Sequence, residues 1–378
     1  MKNPVALVRC PSYDAATLDR ALAEAVELAP LPDVKGASIL LKPNILNAAT
    51  PELAISTRGE LLAAFARLLK SKGAGRITAG ESPAWQAHEA AARKSGIMAA
   101  CEAEGVEWLD FTKGAEYECP EGKRVKRFTL AAALKEADIL VSLPKLKTHR
   151  LMRYTGAIKN LFGLVSGLGK SAFHMRFPAA EDFGYMLVDL AVTAKPAYCL
   201  MDAVVSMEGD GPANGRPVGT GLVLASRDPA ALDWIAASAI GYDPRALPYL
   251  VDACSRGLWI SGPENIELRG LGIDEARPAS FELVPPDSGG KFFTDMLPGP
   301  LRLLARNAAV ARPFFDHGKC IRCGGCVSIC PPKALDFVPD GKAASGKRVR
   351  VDYGKCIRCY CCHEACPADA IRVAKRIF

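Results

Sequence analysis

Eight of the 14 cysteines lie in two short runs near the C-terminal end of the 378-residue chain. The first run is Cys320-x2-Cys323-x2-Cys326-x3-Cys330 and the second is Cys356-x2-Cys359-x2-Cys362-x3-Cys366, each followed by proline. Three thiolates on one tight loop can face three corners of a metal cluster, and a fourth can reach it from elsewhere in the domain. The spacing therefore predicts metal or redox chemistry rather than a disulfide framework.

Each run has the spacing of bacterial ferredoxins, in which the fourth cysteine binds the other cluster. We expect two [4Fe–4S] clusters, one held by Cys320, Cys323, Cys326 and Cys366 and the other by Cys356, Cys359, Cys362 and Cys330. Gly324 and Gly325 let the backbone wrap closely around a cluster. Two zinc sites are the alternative, but zinc ligands usually come as two separated pairs. Cys361, a ninth cysteine beside Cys362, is expected to be a packed thiol rather than a ligand.

The basic charge of the chain is concentrated in this segment. Residues 315–378 hold 12 Lys and Arg against 6 Asp and Glu, a balance of +6, whereas the whole chain carries +7 and the remainder therefore +1. Two oxidised clusters with their thiolates would add about −2 each. The excess of basic residues thus largely offsets the clusters, which argues against nucleic-acid binding. The remaining basic face suits an acidic electron donor such as a ferredoxin or flavodoxin.

Residues 1–275 alternate between predicted strands and helices, which indicates an α/β domain with a largely parallel sheet. Strands are expected at Pro4–Val8, Ser38–Leu41, Arg76–Ala79, Asp138–Leu143, Tyr198–Val205 and Gly221–Ala225. Helices are expected at Asp14–Leu28, from a capping box at Thr57–Glu60 to Gly73, after Ser82-Pro83 and after Asp228-Pro229. The fold class is therefore a large mostly parallel-sheet α/β domain followed by a small α+β ferredoxin-like domain.

The expected domains are residues 1–284, a linker with a docking helix at 285–312, and the cluster module at 313–378. The linker is rich in Pro and Gly, and its stretch Leu301–Val310 is expected to dock the two domains. A membrane-surface helix is the alternative for that stretch. The N-terminus lacks the features of a signal peptide, and no apolar run is long enough to span a bilayer, so we expect a cytoplasmic protein without an integral membrane segment.

Polar segments follow several of the predicted strands, where ligands bind in open α/β sheets. They are Lys42-Pro43-Asn44, Gly80-Glu81-Ser82, the lysine-rich turn Lys145–His149, Thr155–Gly163 and the loop Glu208–Pro212. Lysines that converge on one crevice suit an anionic small-molecule substrate, and a histidine among them suits proton transfer. No G-x-G-x-x-G or Walker motif is present, and a flavin or another second cofactor stays open because many flavin sites leave no short motif.

The stretch Ala137–Gly163 resembles a bacterial and archaeal family known as domain-of-unknown-function family 362, which is often fused to a C-terminal ferredoxin module. Other matching stretches are Leu41–Ile45, Gly80–Pro83, Asp210–Gly215 and Ala225–Asp233, and the resemblance extends over about residues 5–275. It implies an uncharacterised site in the α/β domain that includes Lys42, Asn44, Lys145, Lys147, His149, Lys159 and Asn160. A similarity of pattern to the N-terminal half of nickel-pincer lactate racemases carries no catalytic residues across.

These observations favour an iron–sulfur oxidoreductase that passes electrons from its clusters to an anionic substrate. The candidate catalytic residues are His149, Lys145 and Lys159, and the candidate substrate-binding residues are Lys42, Asn44, Lys147, Asn160 and Asp210. An electron-carrier protein without its own substrate is one alternative. A racemase or lyase-like enzyme with structural clusters is the other. The substrate, the direction of electron flow and the oligomeric state are not determined by the sequence.

Overall fold

The structure is a computed structural model that describes residues 2–83, 87–166, 169–284, 298, 301, 310–341 and 346–375. Its strands are β1 (Asn3–Arg9), β2 (Ile39–Pro43), β3 (Ile77–Glu81), β4 (Glu107–Asp110), β5 (Gly114–Glu118), β6 (Arg127–Ala131), β7 (Ile139–Leu143), β8 (Lys145–His149), β9 (Arg153–Thr155), β10 (Tyr198–Glu208), β11 (Arg216–Ser226), β12 (Ile266–Gly270), β13 (Arg312–Phe315), β14 (Leu335–Pro339), β15 (Lys347–Val351) and β16 (Ile371–Ala374).

The α-helices alternate with these strands along the first 276 residues and recur in the C-terminal module. They are α1 (Ala15–Leu28), α2 (Gly59–Ser71), α3 (His88–Lys94), α4 (Ile97–Ala103), α5 (Ala157–Asn160), α6 (Gly169–Arg176), α7 (Ala180–Ala194), α8 (Pro229–Ala239), α9 (Pro248–Ser255), α10 (Ile273–Ala276), α11 (Gly325–Ile329) and α12 (Cys361–Glu364). Short 3₁₀ turns follow β6 and α5. None of the helices in the described ranges combines the length and apolar character needed to span a bilayer.

The large domain is built on one ten-stranded sheet with the order β12-β1-β11-β10-β7-β2-β3-β4, to which β8 and β9 are attached beside β10. Neighbours from β10 to β4 run parallel, and β11 is antiparallel to both β1 and β10. The predicted α/β fold with a mostly parallel sheet is confirmed. Parallel neighbours bring the carboxyl ends of β2, β3 and β7 to one edge, where ligands of such sheets bind.

Both faces of this sheet are covered, as expected for a largely parallel sheet. Along β1, Val5 and Leu7 join one apolar core, and Ala6 and Val8 join the core on the opposite face. Successive side chains of a strand point to opposite faces, which explains why these strands are nearly continuous apolar runs. The two cores fix the sheet edge that carries the polar residues.

Two expectations about helix starts are wrong. Thr57 does not cap α2: its hydroxyl donates to the carbonyl of Leu143 at 2.7 Å and accepts from the amide of Asn44 at 2.9 Å. Ser82-Pro83 does not open a helix, because α3 begins only at His88. In contrast, Asp228 caps α8 as predicted, accepting from the amides of residues 230 and 231.

The segment Lys145–His149 is a strand rather than the expected turn. It pairs with β10 and with β9, and all five of its residues are buried. Alternation along this strand places Leu146 in the apolar core and leaves Lys145, Lys147 and His149 on the other face. Tertiary pairing with β10 thus replaces the local turn preference that polar residues suggest.

The C-terminal module consists of two antiparallel strand pairs, β13–β16 and β14–β15, with the short helices α11 and α12. Its apolar core is small and includes Leu335, Val349 and Ile371 together with Cys326 and Cys362. The expected docking helix at Leu301–Val310 lies outside the described residues except at its ends, so neither its docking role nor the membrane-surface alternative is tested. Val310 accepts a hydrogen bond from the Arg358 guanidinium at 2.5 Å.

Candidate functional site

A cavity of about 690 Å³, including its open mouth, lies where the carboxyl ends of β2 and β3 meet the C-terminal module. Its walls come from both parts of the chain. Polar residues of the α/β domain in the lining are Asn44, Glu81, Ser82, Lys147, Thr155, Lys159, Asn160, Lys170, Ser171 and His174. The module contributes Ile329, Cys361 and Glu364.

The floor of the cavity is a buried network around Lys42. The Lys42 ammonium contacts the Glu81 carboxylate and donates to Asn160 Oδ1 at 3.1 Å. Asn160 Nδ2 donates to the carbonyl of Lys42 at 3.0 Å and to Ser142 Oγ at 3.0 Å, and Asn160 Oδ1 also accepts from Asn44 Nδ2 at 3.2 Å. Burial lowers the pKa of Lys42, and the Glu81 charge partly offsets that effect. The network holds Asn44 and Asn160 rigidly at the cavity wall.

The backbone at residue 163 lies so close to the Glu81 carboxylate in the cavity floor that only glycine fits there. A Cβ atom at Gly163 would lie 2.0 Å from Glu81 Oε1, which no side chain can accept. Glu81 also accepts from the amide of Ser82 at 2.8 Å. The Gly163 position therefore lets the 3₁₀ turn after α5 pack directly on the buried carboxylate.

Lys159 is positioned by the start of α5. The buried carboxylate of Asp233, on α8, accepts from the amides of Ala157 at 2.6 Å and Ile158 at 3.1 Å and so fixes this four-residue helix. Within the described residues, the Lys159 ammonium has no hydrogen-bond or ion-pair partner, although it lines the cavity. Burial lowers its pKa, and the nearby Glu364 charge opposes that shift. Lys159 is thus a cation that faces the cavity without a counterion of its own.

Two further lysines line the cavity with partners. Lys147 Nζ donates to the carbonyl of Ile55 at 2.7 Å, and burial lowers its pKa well below the usual value. Lys170 contacts the carbonyl of Ser82 and lies 3.9 Å from Glu81, and burial lowers its pKa to about 8. Clustered ammonium groups also lower one another's pKa, which any bound anion would reverse.

Histidine 149 lies behind the cavity, against the module. Its Nδ1 accepts from the amides of Leu151 at 3.1 Å and Met152 at 3.2 Å, so the neutral ring carries its proton on Nε2. Nε2 lies 3.3 Å from Glu364 Oε1, but the angles do not make a hydrogen bond. Burial lowers the pKa of His149 well below its usual value and raises that of Glu364.

Several buried polar atoms around the cavity lack partners among the described residues. They are Asn44 Oδ1, Thr155 Oγ1, His174 Nδ1 and Glu364 Oε1, and all four residues are in the lining. The His174 ring stacks on Phe183 with centroids 4.5 Å apart, and burial lowers its pKa to about 3. Buried polar groups are normally satisfied, so these atoms mark places where a polar ligand can bind.

Two predicted site residues lie elsewhere. Lys145 is fully buried outside the cavity lining, where its ammonium pairs with Asp202 at 2.8 Å and contacts the Tyr13 hydroxyl at 2.9 Å. Asp210 accepts from Arg150 at 2.5 Å and from His363 Nε2 at 3.1 Å, so it links the α/β domain to the module. Burial opposes ionisation of Asp210, but these two partners outweigh it and lower its pKa.

Glu81, Lys170, His174 and Glu364 line the cavity but are not among the candidate site residues chosen from the sequence. Glu81 was visible as part of Gly80-Glu81-Ser82, but only the fold shows that its carboxylate pairs with Lys42. Glu364 had a signal in the internal repeat: where the first cysteine run has Val327-Ser328, the second has His363-Glu364. Polar residues at these positions meet the α/β domain.

The eight cysteines surround two further cavities in the module. The first, of about 340 Å³, is lined by Cys320, Cys323, Cys326 and Cys366, and the second, of about 330 Å³, by Cys330, Cys356, Cys359 and Cys362. The fourth cysteine of each run thus lies with the other run. The amides of Ala334 and Ala370 donate to the sulfurs of Cys330 at 3.2 Å and Cys366 at 3.3 Å, as is common around cluster ligands. The donor sets fit [4Fe–4S] clusters.

The two cysteine loops follow the same backbone path. Positive φ angles occur at matching positions of the repeat: Arg322 and Arg358, Gly324 and Tyr360, Lys333 and Asp369. Non-glycine residues adopt a positive φ only at a cost in free energy. Because these angles recur at the same positions of the repeat, we conclude that both loops are shaped to hold the same type of metal cluster. This molecule is therefore an α/β iron–sulfur protein with a ferredoxin-type module.

The comparisons with known proteins agree with that class. Residues 39–238 match the model of the family described as domain of unknown function (DUF362), and residues 319–370 match the 4Fe-4S dicluster domain. The chain belongs to the DUF362 family and carries a 4Fe–4S ferredoxin domain at its C-terminal end. A thylakoid-associated protein of Synechocystis is 34% identical over 254 residues, which is 66% of this chain and 78% of that protein.

Two solved structures match this chain at low similarity. A Thermotoga maritima protein from a structural genomics project is 14% identical with a TM-score of 0.37, over 58% of this chain and 56% of its own. The lactate racemase apoprotein of Thermoanaerobacterium thermosaccharolyticum is 15% identical with a TM-score of 0.40, over 62% of this chain and 56% of its own.

Proposed function

We propose that this protein is an iron–sulfur oxidoreductase that passes electrons from two [4Fe–4S] clusters to an anionic small molecule bound in the cavity between its domains. The observation that carries the proposal is the composition of the cavity wall. The loop that holds the second set of cysteines supplies Cys361 and Glu364, and the α/β domain supplies Lys159 opposite them. A molecule bound there lies beside one of the clusters.

The cluster assignment rests on two separate sets of four cysteines, Cys320, Cys323, Cys326 and Cys366 in one and Cys330, Cys356, Cys359 and Cys362 in the other. Such clusters supply single electrons at potentials that reach about −700 mV. In this proposal the domains are residues 1–284 and 313–378, and the segment between them connects the two. Cys361, within the second loop, packs with Ile329 and Ala365 and is not a ligand.

The charge of the cavity supports an anionic substrate. Lys147, Lys159 and Lys170 line it, whereas the Glu81 carboxylate is already paired with Lys42 and burial raises the pKa of Glu364, which disfavours its negative charge. We propose that Lys159 binds the anionic group directly and that Asn44 and Asn160 orient it. A hydrogen bond to a charged partner contributes about 1.5–3 kcal/mol, more than a neutral one. Binding an anion also restores the normal protonation of the crowded lysines.

A reduction consumes protons as well as electrons, and the site holds donors for them. Lys159 has a lowered pKa and faces the cavity, which suits an acid in proton transfer. His149 presents its Nε2 proton toward Glu364, one side chain behind the cavity. We propose Lys159 as the direct donor and Glu364, whose pKa is raised by burial, as the group that resupplies its proton, with the neutral His149 ring orienting that carboxyl group. Lys145, with its ammonium paired to Asp202 outside the cavity lining, stabilises the fold and is not part of the proposed site.

The lined cavity favours an enzyme over a carrier without its own substrate, because a carrier needs no cavity lined by buried lysines and unpartnered polar atoms. The proposal includes a cytoplasmic location. The thylakoid-associated relative makes a peripheral membrane location the competing expectation, which cell fractionation decides.

The test begins with anaerobic purification, followed by measurement of iron, sulfide, flavin and nickel and by low-temperature EPR after dithionite reduction. About eight irons per chain with the interacting signal of two reduced clusters is the expected result. Zinc in place of iron, or bound nickel with no electron transfer, contradicts the proposal.

The second stage is a panel of small mono- and dicarboxylates and inorganic phosphate. We expect some of these anions to raise the thermal stability of the oxidised protein and a related reducible anion to reoxidise the reduced protein. His149→Ala is expected to slow reoxidation while iron content stays unchanged. Reoxidation by anions at the same rate in His149→Ala and Lys159→Met would place the chemistry outside this cavity.

A further inference from the structure

The two cysteine loops share a backbone path but differ in their exposure. Ile321, in the first loop, is 64% exposed and Cys323 is also exposed. At the matching positions of the second loop, Ile357 is half-buried and Cys359 is only 7% exposed. The first set of cysteines is therefore open to solvent at Cys323, whereas the second set contains no exposed cysteine.

The α/β domain covers the second loop. His363 pairs with Asp210 at 3.1 Å, and the His149 ring lies 3.3 Å from Glu364. Arg150 also donates to the carbonyl of Val373 at 3.2 Å, beside this loop. The second set of cysteines thus faces the cavity between the domains, and the first set points away from it.

The exposed side of the first loop has an apolar centre and a basic rim. We define the docking patch as Lys319, Ile321, Arg322, Cys323 and Lys347. Arg322 donates to the carbonyls of Lys347 at 3.2 Å and Cys320 at 3.1 Å, which keeps its guanidinium at this surface. Two acidic groups lie at its edge: Asp369, paired with Lys319 at 3.3 Å, and Asp316, which accepts from the amide of Lys319 at 3.3 Å. Protein surfaces with a central apolar contact and charged rims are typical of electron-transfer encounters that depend on charge.

We infer that electrons enter through the docking patch from a small acidic electron-carrier protein and leave from the second set of cysteines into the cavity. Each encounter moves one electron: the reduced carrier is oxidised by one electron and the module is reduced by one. The patch suits a partner with carboxylates around its exposed redox centre, because Lys319 and Arg322 lie on either side of Ile321 in the loop and Arg322 contacts the backbone of Lys347. This inference rests on the proposed function and adds the surface, the partner and the order of the two clusters.

The test uses the full-length holoprotein and a flavodoxin in its hydroquinone form as the probe. Electron transfer is followed by stopped-flow absorbance, since the flavin semiquinone and the clusters absorb differently. The test variants are Lys319→Glu and Ile321→Asp, both at exposed positions. We expect the second-order rate constant at low ionic strength to fall about tenfold in each variant and the difference to shrink as salt is added.

The internal repeat supplies a matched control. Lys355 precedes Cys356 as Lys319 precedes Cys320, and both side chains are about half exposed or more. Lys355→Glu therefore makes the same charge change beside the other loop, and we expect it to leave the rate nearly unchanged. An equal or larger effect of Lys355→Glu, or no effect of the test variants, overturns the inference. A change of oligomeric state in Lys319→Glu, seen by light scattering, also overturns it because a second copy would then occupy the patch.

Iron content and reduction by dithionite, which needs no docking, separate this inference from the proposed function. Normal iron and normal dithionite reduction in all variants, with slow reduction by flavodoxin only in the test variants, supports the docking patch. Rapid flavodoxin reduction in all variants overturns the patch and leaves the cluster assignment standing. Absence of clusters in the wild type overturns both.

Discussion

Replacing Lys159 with methionine is expected to weaken anion binding without lowering the free energy of unfolding of the protein. The ammonium lines the cavity with no partner among the described residues, so its removal breaks no ion pair. Burial disfavours its charge, as the lowered pKa records. Methionine keeps the length of the side chain and removes only the charge. We therefore expect the free energy of unfolding without anions to stay within about 0.5 kcal/mol of wild type or to rise.

Anion binding, in contrast, should weaken strongly. Loss of a hydrogen bond to a charged group removes about 1.5–3 kcal/mol, which raises the Kd about 10- to 150-fold. At an anion concentration of about 100 times the wild-type Kd, binding stabilises the wild type by about 2.7 kcal/mol. The same concentration stabilises the variant by only about 1.4 to 0.3 kcal/mol.

The assay is chemical denaturation with and without the anion of the carboxylate and phosphate panel that stabilises wild type most. Lys145→Met is the matched control, because that ammonium pairs with Asp202 at 2.8 Å outside the cavity. We expect the control to lose about 3–5 kcal/mol of stability, since a buried carboxylate loses its cation, and to keep the full anion-dependent gain. If the folded Lys159→Met protein gained as much stability from the anion as wild type, the assignment of Lys159 would be wrong.

Three further changes test the floor, the pH response and the clusters. Lys42→Met should cost about 3–5 kcal/mol because it leaves the Glu81 carboxylate buried, and adding Glu81→Gln should recover much of that loss in a denaturation cycle. Burial lowers the pKa of His174 to about 3, so its contribution to stability is present above about pH 6.5 and is lost as the pH falls, by up to about 1.4 kcal/mol per pH unit. His174→Phe should reduce the dependence of the free energy of unfolding on pH by that amount. An unchanged pH dependence in this variant would contradict the reasoning. Cys326→Ser should lower the iron content by about four atoms per chain, whereas Cys361→Ser should keep all of it; equal iron loss in both would make Cys361 a ligand.

The sequence by itself determined the cysteine chemistry and the class of fold. Ligand spacing within a loop is a local property, so the runs around Cys320 and Cys356 predict their own geometry. Strand and helix periodicity is also local, and it placed β1, β2, β3, β7 and α1 close to their observed bounds. Capping was less reliable: Asp228 caps its helix, but Thr57 bonds to Leu143 across the sheet instead.

Only the tertiary structure decided which polar residues share a site. Lys145 and Lys159 are equally plausible in sequence, but one is paired with Asp202 beneath the sheet edge and the other faces the cavity. Asp210 is likewise committed to Arg150 and His363. The cavity itself is formed by segments that lie about two hundred residues apart in the chain, such as those of Lys159 and Glu364. Side-chain partners over such separations depend on how the domains pack, which no local pattern specifies.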